Sequence, residues 1–180
     1  MRIGIVGAGA IGGLLGVKLS LAGETVTLVD IDTQLHALKH RGLRLLCTDG
    51  KEHVICPVKA TASFAEAGPQ DLVILAVKAY DLLEVALQLQ PMMTPATIVL
   101  PMQNGVPWWY FHGHGGRHQG RHIETVDPGG LIARHIKVES VLGCVVYPAA
   151  EIVAPGVIRH VEGNRMTLGE LDGADTERVN

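Results

Sequence analysis

The chain has 180 residues, of which 47% are hydrophobic and 18% are charged. This length corresponds to about one domain, and this composition is that of a folded protein rather than a disordered one. The 15 basic residues are outnumbered by 18 acidic residues, which gives a net charge of −3. Because nucleic-acid affinity depends on neutralising phosphates with Lys and Arg, this balance argues against DNA and RNA as partners.

Cysteine usage and the N-terminal sequence bear on the compartment. Cys47, Cys56 and Cys144 form an odd set without CxxC spacing, which predicts reduced thiols in a cytoplasmic protein. Residues 3–17 are largely apolar but contain several glycines, and the run is too short to cross a membrane. We therefore predict neither a signal peptide nor a membrane partner.

The first half of the chain alternates predicted strands and helices. Residues 2–6 and 25–30 are β-rich and enclose a stretch with helical spacing, and a second helix is predicted from Asp32 or Thr33 to Gly42. This order is typical of a βαβ unit.

The next predicted elements interrupt the alternation and then resume it. Residues 43–47 and 53–58 predict a hairpin, because Asp-Gly between them favours a tight turn. Residues 71–77 are almost continuously apolar, as in a parallel strand buried on both faces. A helix at about 80–90 and a strand at 97–100 follow.

The second half contains fewer clear elements. Between Gly105 and Val141 the pattern predicts only a helix start at Asp127 and Pro128. Strands are predicted at 141–147, 157–161 and 165–168, separated by turn residues. The whole pattern predicts an α/β fold: a Rossmann-type, doubly wound, mostly parallel sheet with a C-terminal β-rich extension.

A glycine-rich motif lies between the first predicted strand and the first predicted helix. It consists of Gly7, Ala8, Gly9, Ala10, Ile11 and Gly12, which is GxGxxG. In this context the glycines permit a tight turn, a close approach of the backbone to a pyrophosphate, and helix–strand packing. The motif therefore predicts a dinucleotide site, and a glycine-rich core turn is the structural alternative.

Asp30 ends the second predicted strand, 18 residues after Gly12. At that position a carboxylate accepts hydrogen bonds from the adenosine ribose hydroxyls and repels a 2′-phosphate, which favours NAD over NADP. The alternative is a solvated Asp that caps the following helix.

Lys78 and Asn104 follow the strands predicted at 71–77 and 97–100. Because the carboxyl ends of parallel strands meet at one edge, we expect both residues beside Asp30 and the glycine motif. Lys78 would lie near phosphate oxygens, and Asn104 would bind the nicotinamide ribose or a substrate carbonyl. A surface lysine and an Asn-Gly turn are the alternatives.

Two features of the segment between Gly105 and Val141 invite other interpretations. The spacing of His112, His114, His118 and His122 is seen in zinc sites, but their segment is rich in glycine and arginine and offers no carboxylate or cysteine ligand nearby, so we predict no metal site. The four aromatic residues 108–111 predict a substrate wall, a dimer contact or a cluster that anchors the loop.

The order of the motifs resembles the ketopantoate reductase (2-dehydropantoate 2-reductase) family. The matching segments are 2–12, 26–28, 35–38, 42–45, 76–80, 103–105, 155–160 and 168–170. Val-Lys-Ala-Tyr at 77–80 and Gln-Asn-Gly at 103–105 are the most specific of them. The resemblance implies an oxidoreductase that reduces 2-dehydropantoate, a small 2-oxo acid, to pantoate with NADPH, on the route to pantothenate.

The resemblance also implies roles for individual residues. The glycine motif and Lys78 correspond to cofactor-binding residues, Asn104 to a residue shared by cofactor and substrate, and Ala149 to a backbone contact with the cofactor. The family's general-acid lysine lies on a C-terminal helical domain, so no catalytic residue is predicted within this chain. We expect residues 1–171 to be the NAD(P)-binding domain and 172–180 to begin a linker to that helical domain, through which a homodimer would form.

The chain departs from the family pattern in two places. Where the family usually has an Arg that holds the 2′-phosphate, this chain has Asp30-Ile31-Asp32, so NAD(H) is an alternative to NADP(H). The segment 106–142 is longer than usual. Two further functions therefore stay open: an NAD(H)-sensing module without catalysis, and a related reductase of another 2-oxo acid.

Overall fold

The computed structural model describes residues 1–180. The strands are β1 (Arg2–Val6), β2 (Thr25–Val29), β3 (Leu43–Leu46), β4 (Glu52–Ile55), β5 (Lys59–Thr61), β6 (Leu72–Leu75), β7 (Ile98–Pro101), β8 (Gly143–Val146), β9 (Ala149–Ala154), β10 (Val157–Glu162) and β11 (Met166–Gly169). The α-helices are α1 (Ala10–Leu21), α2 (Asp32–Arg41), α3 (Phe64–Ala67), α4 (Leu82–Gln88) and α5 (Leu131–His135).

The centre of the fold is a five-stranded parallel sheet in the order β5-β2-β1-β6-β7. Ile5 of β1 pairs with Leu28 of β2 on one side and with Ile74 of β6 on the other. All three side chains are buried, because helices or other strands cover both faces of the sheet. The predicted α/β fold with a parallel sheet is confirmed.

Two apolar clusters cover the two faces of this sheet. On one face, Leu14 of α1 packs with Ile5, Leu45 of β3 and Ile158 of β10. On the other face, residues of α3, α4 and α5 pack with β6 and β7, and the cluster includes Leu75, Leu89, Trp108, Ile132 and Ile136. Burial of these side chains is the main source of the fold's stability.

A second sheet has the order β4-β3-β10-β9. Strands β3 and β4 are antiparallel, as predicted for the hairpin, and Gly50 in the turn has a φ of 80°. Strand β9 was not predicted from the sequence. Glu151, Ile152 and Val153 are all exposed, so apolar and polar residues do not alternate along β9, and its sequence lacks the pattern that indicates a strand.

The C-terminal β-rich extension continues the edge of the central sheet. The pair β8 and β11 is antiparallel, and Val141, just before β8, bridges to Val99 of β7. In the preceding segment, the buried Asp127 accepts hydrogen bonds from the N–H groups of Ile132 (2.7 Å) and Ala133 (3.1 Å) at the start of α5. The predicted helix start at Asp127 and Pro128 corresponds to a short 3-10 turn at Pro128–Gly130, and α5 itself begins three residues later, at Leu131. No helix has the length and apolar character needed to cross a bilayer.

Candidate functional site

Four segments meet at the carboxyl edge of the central sheet. The glycine loop (residues 7–9) follows β1, Asp30 follows β2, Lys78 lies three positions after β6, and Asn104 lies three positions after β7. Because these strands are neighbours in the order β2-β1-β6-β7, the segments lie side by side, as the sequence predicted. This is the edge at which parallel α/β sheets bind ligands.

The GxGxxG motif has no room for a side chain at two of its three glycines. Gly7 has a φ of +90°, and a Cβ there would lie 3.0 Å from the backbone nitrogen of Val77. A Cβ at Gly12 would lie only 1.9 Å from the carbonyl oxygen of Gly7. At Gly9 the nearest atom to such a Cβ would be Cδ1 of Ile152, at 3.9 Å. The first and third glycines are thus required by the protein's own packing, and the second faces open space.

The N-terminus of α1 is open to an anion. Gly9 is the N-cap residue, no side chain caps the helix, and the first turn contains no acidic residue. The first N–H groups of the helix therefore point toward the carboxyl edge without an intrahelical acceptor. Together with the helix dipole, they favour a negatively charged group such as a phosphate.

The Asp30 carboxylate is fixed beside the glycine loop. Its Oδ2 accepts the N–H of Ala8 at 2.5 Å, and its Oδ1 accepts the N–H of Ile31 at 2.7 Å. Burial raises the pKa of Asp30, these two hydrogen bonds lower it, and the nearby Asp32 raises it further, with a net increase. A carboxylate has about four acceptor positions, so Asp30 can still accept the hydroxyls of a ribose. It does not cap α2, which has no side-chain cap.

Gln34 is part of this site, although the sequence analysis did not identify it. Its Nε2 donates to the carbonyl oxygen of Ala8 at 2.5 Å, and its Oε1 accepts the N–H of Gly156 at 3.0 Å. The side chain therefore ties the glycine loop to the turn between β9 and β10. Its place in the first turn of α2 was the only sequence signal for this role.

The Gln-Asn-Gly motif braces the ends of three strands. Asn104 donates from Nδ2 to the carbonyl oxygen of Val146 at 3.1 Å and accepts the N–H of Val146 at 3.3 Å. The Nε2 of Gln103 donates to the carbonyl oxygens of Leu75 and Val77, both at 2.9 Å. Asn104 is exposed and retains one N–H and one lone pair for a ligand.

The two remaining predicted site residues are Lys78, which follows β6, and Ala149, which begins β9. Lys78 is exposed and takes part in none of the protein's ion pairs, so its ammonium group is available to an anion. Ala149 is half-buried and begins β9. Ile152 on the same strand packs near Gly9, which brings β9 close to the glycine loop.

The histidine-rich segment has local structural contacts. His122 accepts the N–H of Gly130 at 3.1 Å through Nε2, and His118 accepts the Nε–H of Arg117 at 2.9 Å. No group of three or more His, Cys, Asp or Glu side chains is placed to hold a metal ion.

The chain resembles known proteins along nearly its whole length. Residues 3–173 match the family described as ketopantoate reductase PanE/ApbA. A 2-dehydropantoate 2-reductase of Mesorhizobium japonicum is 51% identical over 180 residues, which are 99% of this chain and 55% of that protein.

Solved structures show the same relationship. A Ralstonia solanacearum protein, provisionally assigned as a ketopantoate reductase, has a TM-score of 0.93 and 47% identity over 99% of this chain and 55% of its own. The 2-dehydropantoate 2-reductase from Geobacter metallireducens has a TM-score of 0.79 and 26% sequence identity, over 99% of this chain and 52% of its own. The chain thus spans about half the length of these relatives. It belongs to the ketopantoate reductase family.

Proposed function

We propose that this chain is the NAD(P)(H)-binding domain of a reductase that converts 2-dehydropantoate, a small 2-oxo acid, to pantoate. The observation that carries the proposal is the meeting of the glycine loop, Asp30, Lys78 and Asn104 at one edge of a parallel sheet. Membership of the ketopantoate reductase family supports the same reaction.

The residues present fit a dinucleotide. The open space at Gly9 lets a pyrophosphate approach the backbone, and the uncapped N-terminus of α1 supplies N–H groups. Ala8 contributes backbone of the loop, Ala10 and Ile11 contribute backbone of the first turn of α1, and Asp30 would accept the adenosine ribose hydroxyls. When bound, the reduced nicotinamide supplies the hydride for the keto carbon.

The other residues position the two reactants. The ammonium of Lys78 would neutralise phosphate charge, the free amide N–H of Asn104 would bind the nicotinamide ribose or the substrate carbonyl, and the backbone of Ala149 would contact the cofactor. We assign no proton donor within residues 1–171, the proposed cofactor domain. By resemblance, a lysine of a helical domain following the linker at 172–180 has that role, and that domain would form the homodimer of a cytoplasmic enzyme.

The acidic turn after β2 favours NAD(H) over NADP(H). Asp30 and Asp32 lie where a 2′-phosphate would come close, and the first turn of α2 contains no basic residue to receive it. We expect NADH to bind at least about tenfold more tightly than NADPH, a difference of about 1.4 kcal/mol. The variant Asp30→Ala should weaken NADH binding and reduce this ratio, measured by calorimetric titration. Equal affinities in the wild-type protein would contradict the proposed preference.

Turnover of 2-dehydropantoate by the native full-length protein tests the reaction. We expect consumption of the reduced nicotinamide, followed by its absorbance, and formation of pantoate. Cofactor binding without turnover of any 2-oxo acid would instead favour the sensing module. Turnover confined to other 2-oxo acids would favour a related reductase.

A further inference from the structure

Two side chains hold the backbone of Ala8, the middle residue of the glycine loop. The Nε2 of Gln34 donates to its carbonyl oxygen at 2.5 Å, and the Asp30 carboxylate accepts its N–H. Ala8 is buried, so these two side chains supply the partners that its backbone groups need. Asp30 follows β2 and Gln34 lies in α2, so both hold the loop from the same side.

The amide group of Gln34 has only one favourable orientation. Its Nε2 faces the carbonyl oxygen of Ala8, and its Oε1 accepts the N–H of Gly156 at 3.0 Å. A rotation of the amide by 180° would oppose two oxygens at one end and two N–H groups at the other. Each end of the side chain is therefore specified by a backbone group.

The turn that Gln34 contacts is itself rigidly placed. Gly156 has a φ of +77°, and a Cβ there would lie 3.1 Å from the carbonyl oxygen of Gly42. The carbonyl oxygen of Gly156 accepts the N–H of Arg44 on β3 at 2.8 Å. Gln34 thus fixes the position of the glycine loop relative to the second sheet.

The bond from Gln34 also sets the direction of the next N–H group. The peptide between Ala8 and Gly9 is trans, so its C=O and N–H point in opposite directions. Because the carbonyl oxygen of Ala8 points toward Gln34 on α2, the N–H of Gly9 points away from α2. That N–H is not hydrogen-bonded to any other backbone group, and it precedes the uncapped first turn of α1.

We propose that Gln34 is a positioning residue for the cofactor: by holding the carbonyl of Ala8, it presents the N–H of Gly9 to the pyrophosphate. The proposal rests on the proposed function, because it requires a dinucleotide at the glycine loop. Without this bond the peptide is free to turn a carbonyl oxygen, rather than an N–H group, toward the phosphates. Hydrogen bonds to charged phosphate oxygens are among the strong ones, so their loss should be easy to measure.

Calorimetric titration of the native full-length protein with NADH and with adenosine tests this role. Adenosine carries the ribose hydroxyls that Asp30 would bind but has no pyrophosphate. Gln34→Met keeps the length of the side chain and removes its amide. We expect NADH affinity to fall at least about tenfold, and adenosine affinity to stay within about twofold of the wild-type value.

The matched control is Gln88→Met. Gln88 is exposed on α4, and its amide contacts only the carbonyl oxygen of Glu84 on the same helix, at 3.4 Å. Both affinities of this variant should equal those of the wild-type protein.

Gln34→Glu separates the two ends of the amide. It keeps an acceptor for the N–H of Gly156 but places a second oxygen against the carbonyl oxygen of Ala8. We expect NADH affinity to fall at least as far as in Gln34→Met. Because this variant keeps the bond to Gly156, it serves as the test if Gln34→Met does not fold in urea denaturation experiments.

The outcomes separate this proposal from the proposed function. If a folded Gln34 variant binds NADH as tightly as the wild-type protein, the positioning role is wrong and the cofactor domain stands. Equal losses of NADH and adenosine affinity would show that Gln34 only supports the structure of the site, which also overturns the role. If the wild-type protein binds neither NADH nor NADPH, the proposed function is wrong and the positioning role fails with it.

Discussion

The glycine loop follows β1 and the segment 105–141 follows β7, and the two regions are held in place in different ways. In the glycine loop the backbone makes the contacts: the N–H of Gly7 donates to the carbonyl oxygen of Val29 at 2.9 Å, and Gly12 packs directly on Gly7. In the segment 105–141, buried side chains such as Trp108 and Asp127 hold an otherwise irregular chain. Substitutions that add a side chain should therefore destabilise the first region, and substitutions that remove a buried side chain should destabilise the second.

The largest effect is expected at Gly12. In Gly12→Ala the new Cβ would lie 1.9 Å from the carbonyl oxygen of Gly7, and the backbone cannot move aside as a flexible side chain could. We expect a loss of at least about 3 kcal/mol in the free energy of unfolding, measured with urea. An unchanged urea midpoint would show that helix α1 does not pack on the loop as described.

Removing the Asp127 carboxylate tests the second region. Asp127→Ala leaves the N–H groups of Ile132 and Ala133 without their acceptor in a buried position, and should cost about 1–3 kcal/mol of unfolding free energy. Asp127→Asn keeps one acceptor oxygen and should cost less. If both variants match the wild-type protein, the segment does not depend on this side chain.

A smaller effect on stability is expected at Glu170, just after β11, where Thr176 and Arg178 near the C-terminus donate hydrogen bonds to its carboxylate. Hydrogen bonds from Arg178 and Thr176 lower the pKa of Glu170 from 4.5 to about 2. Because the folded-state pKa is the lower one, this stabilisation is present above about pH 4.5 and is lost as the pH falls toward 2. Glu170→Gln should lower the Tm at neutral pH and flatten its fall over that pH range.

The control for Glu170 is Glu162→Gln, which removes an exposed glutamate that forms no ion pair. Its Tm should match that of the wild-type protein at neutral pH. A Glu170→Gln variant whose Tm follows the wild-type curve from neutral to acid pH would show that the ion pair with Arg178 contributes nothing.

The smallest expected effect concerns the reactivity of the cysteine thiols rather than the stability of the fold. Burial raises the pKa of Cys144 on β8 to about 11, so only roughly a thousandth of it is thiolate at pH 8. With a chromogenic disulfide reagent, the exposed Cys56 should react first, and Cys144 slowly and faster as the pH rises. Cys56→Ser should remove the fast phase. Equal rates for the two thiols would contradict the partial burial of Cys144.

The contrast between the two regions also explains what the sequence could predict. Residues that must lack a side chain, such as Gly7 and Gly12, leave a visible pattern, and the continuous apolar run of β6 shows that it is buried on both faces. The meeting of four segments at one edge then follows from the rule that parallel strands point the same way.

Contacts between distant side chains left no such pattern. Gln34 binds Gly156, 122 residues away, and Asn104 braces Val146, 42 residues away, so neither partner was visible locally. Strand β5 has only three residues, too few to show a period.

The central claim is that the glycine loop and α1 bind a dinucleotide, and Gly9 tests it most directly. Gly9 has a φ of −70°, and a Cβ there would meet no atom closer than 3.9 Å, so Gly9→Ala should unfold in urea within about 0.5 kcal/mol of the wild-type protein. The same Cβ would stand where the pyrophosphate approaches, so NADH affinity, measured by calorimetric titration, should fall at least about tenfold. Unchanged NADH affinity in a folded Gly9→Ala protein would contradict the account.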